Sequence, residues 1–473
     1  MDFYGRAAEL EALEASYAED KFSFYVVYGR RRIGKTTLLH KFIEDKPALY
    51  FSAQEANEAL NLNKFSQELY RLNHIKVELP AFPSWDAAFS YLTEIIKEQR
   101  LVLVIDEFPY IAATDKSILS LLQHNIDLYW KDTHLFLILC GSSMSFMQNE
   151  VLSYKSPLFG RRTAQIHLKP FGFYESCELL SAVSDEEKIQ YYAILGGIPQ
   201  YLEKVDQRQS LKANLLQLFF QTSAYLYDEP QMLLKQELRE PAVYNSIVTA
   251  IANGKTKINE ICDFTKETSS KVSKYIANLI EMGIVRKEVP FKENAELSKK
   301  GIYRIEDAMF QFWFRFVFEN RDLVEMKQSE FLYDALVKEH LSEFVSFPFE
   351  KICMEFLLKK SAKKELPLQI IRFGKWWGND SIEKQQVEID IVCEGLNTLL
   401  IGECKWQNEV MNMGILEKVR SRAHLFPKYD EVYIALFSKA GFNADVIQAA
   451  KMDRHILLYT MEDLFIGEAK GRI

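Results

Sequence analysis

Near the start of the chain, the stretch Gly29-Arg30-Arg31-Arg32-Ile33-Gly34-Lys35-Thr36 has the composition and spacing of a phosphate cradle. Glycines let backbone N–H groups fold round phosphate oxygens, and a helix beginning there turns its positive end to that charge. Lys35 is then placed to reach the terminal phosphates. Thr36 offers a hydroxyl to Mg²⁺, and Thr37 joins the same set. The stretch lies where it must, between the apolar run KFSFYVVYG (21–29) and a helical pattern that continues to about Asp45. Downstream, RLVLVIDEFPYI (100–111) reads as a buried parallel-type strand ending in two carboxylates. In-line phosphoryl transfer needs a held metal and a positioned nucleophile. Asp106 is expected to hold Mg²⁺ through water, and Glu107 to polarise the attacking water. A third strand is expected in HLFLILCGSS (134–143), with Ser142 at its tip facing the γ-phosphate or the water.

The C-terminal third carries a second constellation. TLLIGECKWQ places Glu403 and Lys405 within an apolar strand, where charge is costly unless it is paired. Side chains repeat every two residues in a strand, so Glu403 and Lys405 share a face. VEIDIVC, with the turn EGLN, forms a hairpin with that strand and brings Asp390 beside them. Two carboxylates there suit a hard cation such as Mg²⁺. Lys405 would orient or deprotonate a water for attack on a phosphodiester. Upstream, SFPFEKICMEFLLKK is expected to start a helix with Pro348 in its first turn and Glu350, a third candidate metal ligand, beside it. The plainer account is a surface Glu–Lys pair worth about 0.2–1 kcal/mol.

Between the two, PAVYNSIVTAIAN, KINEICDFT and SSKVSKYIANLIEMG read as successive helices, followed by two strands in IVRKEVPF and KGIYRIED. In the third helix Val272, Ile276, Leu279 and Ile280 form an apolar stripe, with Lys271 and Lys274 mostly on the other side. Helix–turn–helix with a hairpin wing is a DNA-reading arrangement, and its lysines suit phosphate contact. A solvated helix shows the same face, and many such modules bind protein. The aromatic run FQFWFRFVF (310–318) carries Arg315 and is too short for a membrane span, so a buried helix is expected.

At 473 residues with 48% hydrophobic and 26% charged residues, the chain has a normal globular balance and length enough for about two to four domains. Its alternating strand and helix patterns make the expected class α/β. Its net charge of −8 requires any nucleic-acid contact to come from a local basic patch. Six cysteines, scattered singly and without metal-ligand spacing, together with an acidic, mixed N-terminus, lead to the expectation of a cytoplasmic protein.

The segments FYGRAAELEAL, GRRRIGKTTL, LVLVIDEFPY, LILCGSSMSFM, SPLFGRRTAQIHLKPF and GGIPQYL resemble the AAA+ class of P-loop ATPases over roughly residues 1–230. Specifically, they resemble the archaeal ATPases, related to the STAND signalling NTPases. That resemblance implies ATP and Mg²⁺ as cofactors and a polar-tipped strand between the P-loop strand and the acidic one. It also implies that Phe3–Arg6 lies near the adenine. Arg161 and Arg162 precede the expected last strand, where such proteins often carry an arginine finger for a neighbouring subunit in a homo-oligomer. Capping of a helix C-terminus accounts for them equally well. From residue 307 onward the chain resembles the domain of unknown function that often accompanies archaeal ATPases. Through Asp390, Glu403-Cys404-Lys405 and Glu350 it also resembles the PD-(D/E)xK nucleases, although no proline precedes Asp390.

The expected organisation is an ATPase core (1–172), a helical lid (173–240), a winged helix (241–306), aromatic linker helices (307–345) and a nuclease-like domain (346–473). Two functions remain open. In one, ATP turnover is coupled to DNA binding and Mg²⁺-dependent DNA cleavage. In the other, a nucleotide switch carries a docking module with an inactive nuclease fold, to which the acidic pI near 5.7 leans.

Overall fold

Apolar runs too short for helices and bounded by loops become the strands of a parallel sheet in the first half of the chain. The computed structural model describes residues 3–75, 77–238, 240–380 and 382–466. Strands β1 (Ser23–Tyr28), β2 (Ala48–Ser52), β3 (Val102–Asp106), β4 (Phe136–Gly141) and β5 (Ala164–His167) pair in parallel in the order β2-β3-β4-β1-β5. Every residue of β1, β3 and β4 is buried. That is the pattern of a sheet covered on both faces, and it explains why these segments are continuously apolar rather than alternating. As expected, β4 lies between the P-loop strand β1 and the acidic strand β3. Phe51, Phe65, Trp85, Phe89 and Trp130 pack against the sheet, and the Trp130 indole N–H donates to Thr93 Oγ1 at 2.8 Å.

The chain divides into two compact units. The first runs to Phe171 and includes Ile198–Gln200; the second comprises the rest. The second unit begins with helices Phe173–Leu179, Asp185–Leu195, Leu211–Phe219 and Glu229–Glu237. Helices Pro241–Ala252, Ile258–Thr265 and Ser269–Glu281 follow, and then the antiparallel hairpin β6 (Val285–Glu288) and β7 (Ile302–Ile305). Val272, Ile276 and Leu279 are buried as the stripe requires, whereas Ile280 is 39% exposed and lies outside it. The aromatic run forms a buried helix, Ala308–Phe316, whose Trp313 indole donates to the Tyr227 carbonyl at 2.8 Å.

One expectation is corrected. Pro348 and Glu350 do not begin a helix; both lie inside a single 25-residue helix, Lys338–Ala362. An interior proline costs roughly 3 kcal/mol. Burial of Phe344, Val345, Phe349 and Ile352 around it returns about 1.5–3 kcal/mol each, so the helix runs through. The expected boundary at 345/346 therefore falls within this helix.

The C-terminal sheet has the order β12-β11-β10-β9-β8. It is built from β8 (Arg372–Asp380), β9 (Gln385–Glu394), β10 (Thr398–Lys405), β11 (Glu431–Ser438) and β12 (Ile456–Thr460). The pairs β8–β9 and β9–β10 are antiparallel, while β10–β11 and β11–β12 are parallel. The first of these strands starts at Arg372. Helix Ala444–Met452 leads into strand β12 at the edge of the sheet.

Candidate functional site

The loop after β1 is shaped by its glycines. Gly29 has a φ of 154°, and a Cβ there would stand 2.4 Å from the Leu168 carbonyl oxygen. Gly34, with a φ of 87°, caps helix Lys35–Ile43. Lys35 is buried, and its ammonium donates to the carbonyls of Gly29 (2.8 Å) and Arg30 (3.0 Å). Burial lowers its pKa, against the pull of Cys140, Glu107 and Asp106. Thr36 and Thr37 are exposed at the start of that helix.

The Thr36 hydroxyl donates to Asp106 Oδ2 at 3.2 Å. A hydroxyl and a carboxylate side by side are the hard-oxygen donors Mg²⁺ takes, so this site fits the metal. When bound, Mg²⁺ would neutralise phosphate charge there. Tyr50, on the neighbouring strand β2, also donates to Asp106 Oδ2; burial and then the Asp106 charge raise its pKa. Asp106 Oδ1 accepts the Glu107 N–H at 2.9 Å. Glu107 takes a left-handed φ of 50°, which a non-glycine residue adopts at a cost. Its carboxylate accepts the Ser142 hydroxyl at 2.9 and 2.8 Å and the Ser142 N–H at 3.3 Å. The tip of β4 thus holds the carboxylate presented by β3, through the strand adjacency that the sheet order creates.

Arg6 is buried and donates to the carbonyls of Ile33 (2.9 Å) and Lys169 (2.7 Å), which ties the N-terminal segment to the phosphate loop. Arg161 forms a two-pronged pair with Asp127, Nε to Oδ1 at 2.8 Å and Nη2 to Oδ2 at 2.7 Å. Arg162 donates to the Leu152 carbonyl at 3.2 Å.

In the second unit, the β9–β10 ladder ends at the pair Gly402–Ile391, so Glu403 comes next, opposite Asp390. The Cys404 N–H donates to Asp390 Oδ2 at 2.9 Å. Glu403 is buried, and both its oxygens are engaged: Oε1 by Lys405 at 2.6 Å and Oε2 by the buried Arg422 at 3.0 Å. Glu350, from the long helix, forms an ion pair with Lys375 of β8. Burial pushes the Asp390 carboxyl up to about 6, reinforced by the Glu403 charge. Burial likewise pushes Glu350 up to about 7; Asp390 adds to the shift and Lys375 opposes it. Burial would lower the Lys405 pKa, but Glu403 outweighs it and the pKa rises. The carboxylates have the right chemistry for Mg²⁺ but are not gathered round one point. Among the described residues, no three His, Cys, Asp or Glu side chains form a metal-ligating group.

Lys274 is exposed on the third helix of the middle segment. Lys271 is engaged with Glu267 at 3.0 Å and with Glu240 at 3.9 Å.

Tyr50, Lys375 and Arg422 are part of these centres yet carry no local signal in the sequence. Tyr50 sits in a plain strand, and only the β2–β3 pairing brings it to Asp106. Lys375 and Arg422 become visible only when each buried carboxylate is asked for its counter-charge.

Residues 3–205 match an ATPase domain found predominantly in Archaea, and residues 313–420 match a domain of unknown function from archaeal and bacterial proteins. An uncharacterized protein of Methanocaldococcus jannaschii is 33% identical over 409 residues, covering 86% of this chain and 88% of the relative. Among solved structures, a Walker-type ATPase of Pyrococcus abyssi aligns with 66% of this chain and 96% of its own, at 21% identity and a TM-score of 0.50. An ORC2 protein of Aeropyrum pernix, solved as ADPNP–ADP complexes, aligns with 69% of this chain and 96% of its own, at 13% identity and a TM-score of 0.45. Among the described residues, no helix is long and apolar enough to cross a membrane. With the phosphate loop, the Thr36–Asp106 pair and the Ser142-held Glu107 in place, the chain belongs to the family of archaeal-type ATPases that carry this C-terminal domain, and it is an ATP-hydrolysing enzyme.

Proposed function

We propose that ATP binding and turnover in the first unit control a DNA-directed second unit, whose C-terminal centre cuts phosphodiesters when loaded with Mg²⁺. The observation that carries this reading is the juxtaposition of Asp390 and Glu403 on adjacent strands, with Lys405 on Glu403 and Glu350 close enough for the Asp390 charge to raise its pKa. Asp390, Glu403 and Glu350 would hold the metal, which supplies charge neutralisation at the phosphate. Lys405 faces the water and the phosphate. The three helices and hairpin at 241–306 have the element order of a winged helix-turn-helix, which supports DNA as the partner. In a homo-oligomer, Arg162, or Arg161 once its Asp127 pair opens, would reach the nucleotide of the neighbouring copy.

Purified protein is expected to nick supercoiled DNA with Mn²⁺ or Mg²⁺ and not with EDTA. Asp390→Ala, Glu403→Ala and Lys405→Ala each lower cutting at least about a hundredfold, while ATP turnover persists. Glu350→Ala joins them, because its place mid-helix leaves no helix-end role to explain it. A wild type inert with every metal, nucleotide and DNA form sinks the cleavage reading. The second reading is a docking module without cleavage, and the closure of both Glu403 oxygens by Lys405 and Arg422 favours it.

DNA affinity is expected to fall steeply with salt, as counterion release requires. Lys271→Glu with Lys274→Glu lowers it about tenfold and flattens the salt slope. Because Lys271 already pairs with Glu267, most of the effect comes from Lys274. Fluorescence anisotropy across a salt series reads both. An affinity indifferent to the double change assigns this module to protein contact.

A further inference from the structure

We infer that the loop between β6 and β7 holds Lys375 in the C-terminal acid centre, where its ammonium occupies the position a divalent cation would need, so that loosening the loop opens the centre to metal. The inference rests on the proposed metal-binding role of that centre and names its regulation.

Four observations converge on Lys375. First, β8 is the edge strand of the sheet, and its pairing with β9 shifts register between Gly374 and Trp376, where Lys375 alone stands opposite the two β9 residues Asp390 and Ile391. The bulge on β9 disrupts the ladder at Asp390, and an edge strand such as β8 has backbone groups free for other partners. Second, the partner here is the hairpin loop: the Phe291 N–H donates to the Lys375 carbonyl at 2.6 Å. Third, the loop is fastened on both sides of that bond. The Phe291 side chain is 8% exposed and belongs to the core cluster of the C-terminal sheet, with Val387, Ile389 and Val392. Next to it, Lys292 donates to Glu394 Oε1 at 2.7 Å and contacts the Tyr429 hydroxyl. Fourth, the Lys375 ammonium lies 4.5 Å from the centroid of the Phe347 ring and pairs with the Glu350 carboxylate, itself 15% exposed.

The physical consequence is competition. An ammonium and a divalent ion cannot both neutralise the same buried carboxylates at close range, because their mutual repulsion in a poorly screened site is large. The Lys375 charge is felt at Asp390 as well as at Glu350, since it opposes the upward shift of both carboxyls. This explains how carboxylates suited to Mg²⁺ stand together without forming a ligating group. A loop seated in the apolar core and bonded to the Lys375 backbone keeps the ammonium where it is. A nucleic acid drawing on the hairpin would withdraw Phe291, loosen Lys375 and release Glu350.

The test is Mn²⁺ binding to the full-length, nucleotide-free protein by titration calorimetry, with circular dichroism to check folding. Lys375→Met keeps an unbranched side chain of similar length and removes the charge. It is expected to tighten Mn²⁺ binding about tenfold or more, and adding Asp390→Ala removes the gain. Phe291→Ala shifts affinity in the same direction. If that variant does not fold, Lys292→Met, which loosens the loop and leaves the plug in place, must do so instead. Unchanged or weaker Mn²⁺ binding by Lys375→Met overturns the inference. A gain with Lys375→Met but with neither loop variant overturns control by the loop. Tighter Mn²⁺ binding without any DNA cutting supports this inference and removes the cleavage reading. Metal-dependent cutting by a wild type whose Mn²⁺ affinity ignores Lys375 keeps the cleavage reading and removes the inference.

Discussion

Lys35→Ala is expected to abolish ATP binding, and turnover with it, while the protein remains folded. The ammonium donates to the carbonyls of Gly29 and Arg30, at 2.8 and 3.0 Å. Those two contacts belong to the loop rather than to the apolar core beneath it. Alanine is also a strong helix former at this position, the first of helix Lys35–Ile43. What disappears is a positive charge held in a desolvated place, aimed at where phosphate must sit. Burial already lowers the Lys35 pKa, so the protein bears a cost to keep the charge there, and the arrival of phosphate offsets that cost. Titration with a fluorescent ATP analogue, with circular dichroism alongside, is the measurement. Wild-type affinity in a folded Lys35→Ala protein would mean that the phosphates lie elsewhere.

Glu107→Gln is expected to leave ATP binding near wild type and to slow turnover by about a hundredfold to a thousandfold, the range typical for loss of a positioned base. Glutamine keeps the length of the side chain and an oxygen that still accepts from Ser142, whose hydroxyl now lies 2.8–2.9 Å from the carboxylate oxygens. The left-handed backbone at Glu107 and its N–H bond to Asp106 are also kept, so the metal side of the site is undisturbed. Only the negative charge proposed to polarise water is lost. Single-turnover hydrolysis compared with equilibrium nucleotide binding separates the two effects. Turnover at the wild-type rate would move the base to another residue.

The first unit was legible because its chemistry is local. Gly29 to Thr36 is one loop, its glycines are needed for backbone reasons, and the acidic pair Asp106–Glu107 ends one strand. The expected place of β4 between β1 and β3 came from resemblance, and the sheet order bears it out. Helix limits were less legible. Pro348 reads as a helix start in sequence, because nothing local says how much apolar surface lies on either side of it. The aromatic run 310–318 reads as buried in sequence and is so in the fold, since a segment so rich in phenylalanine has few other places to go.

By itself, then, the sequence determined the phosphate loop, the acidic strand, the helix–hairpin order of the middle and the alternation that sets Glu403 and Lys405 on one face. Each of these follows from spacing within a few residues, which helix and strand geometry translate directly into position. The tertiary structure alone decided the counter-charges: Tyr50 on Asp106, Arg422 on Glu403, Lys375 on Glu350, and Phe291 seated in the C-terminal core. It also decided that β10 is buried along nearly its whole length, so the alternation does not sort its side chains into core and solvent. The reason is physical. A buried charge must find its partner wherever the folded chain brings one, and strand pairing, bulges and docked loops bring it from residues that carry no mark of the role.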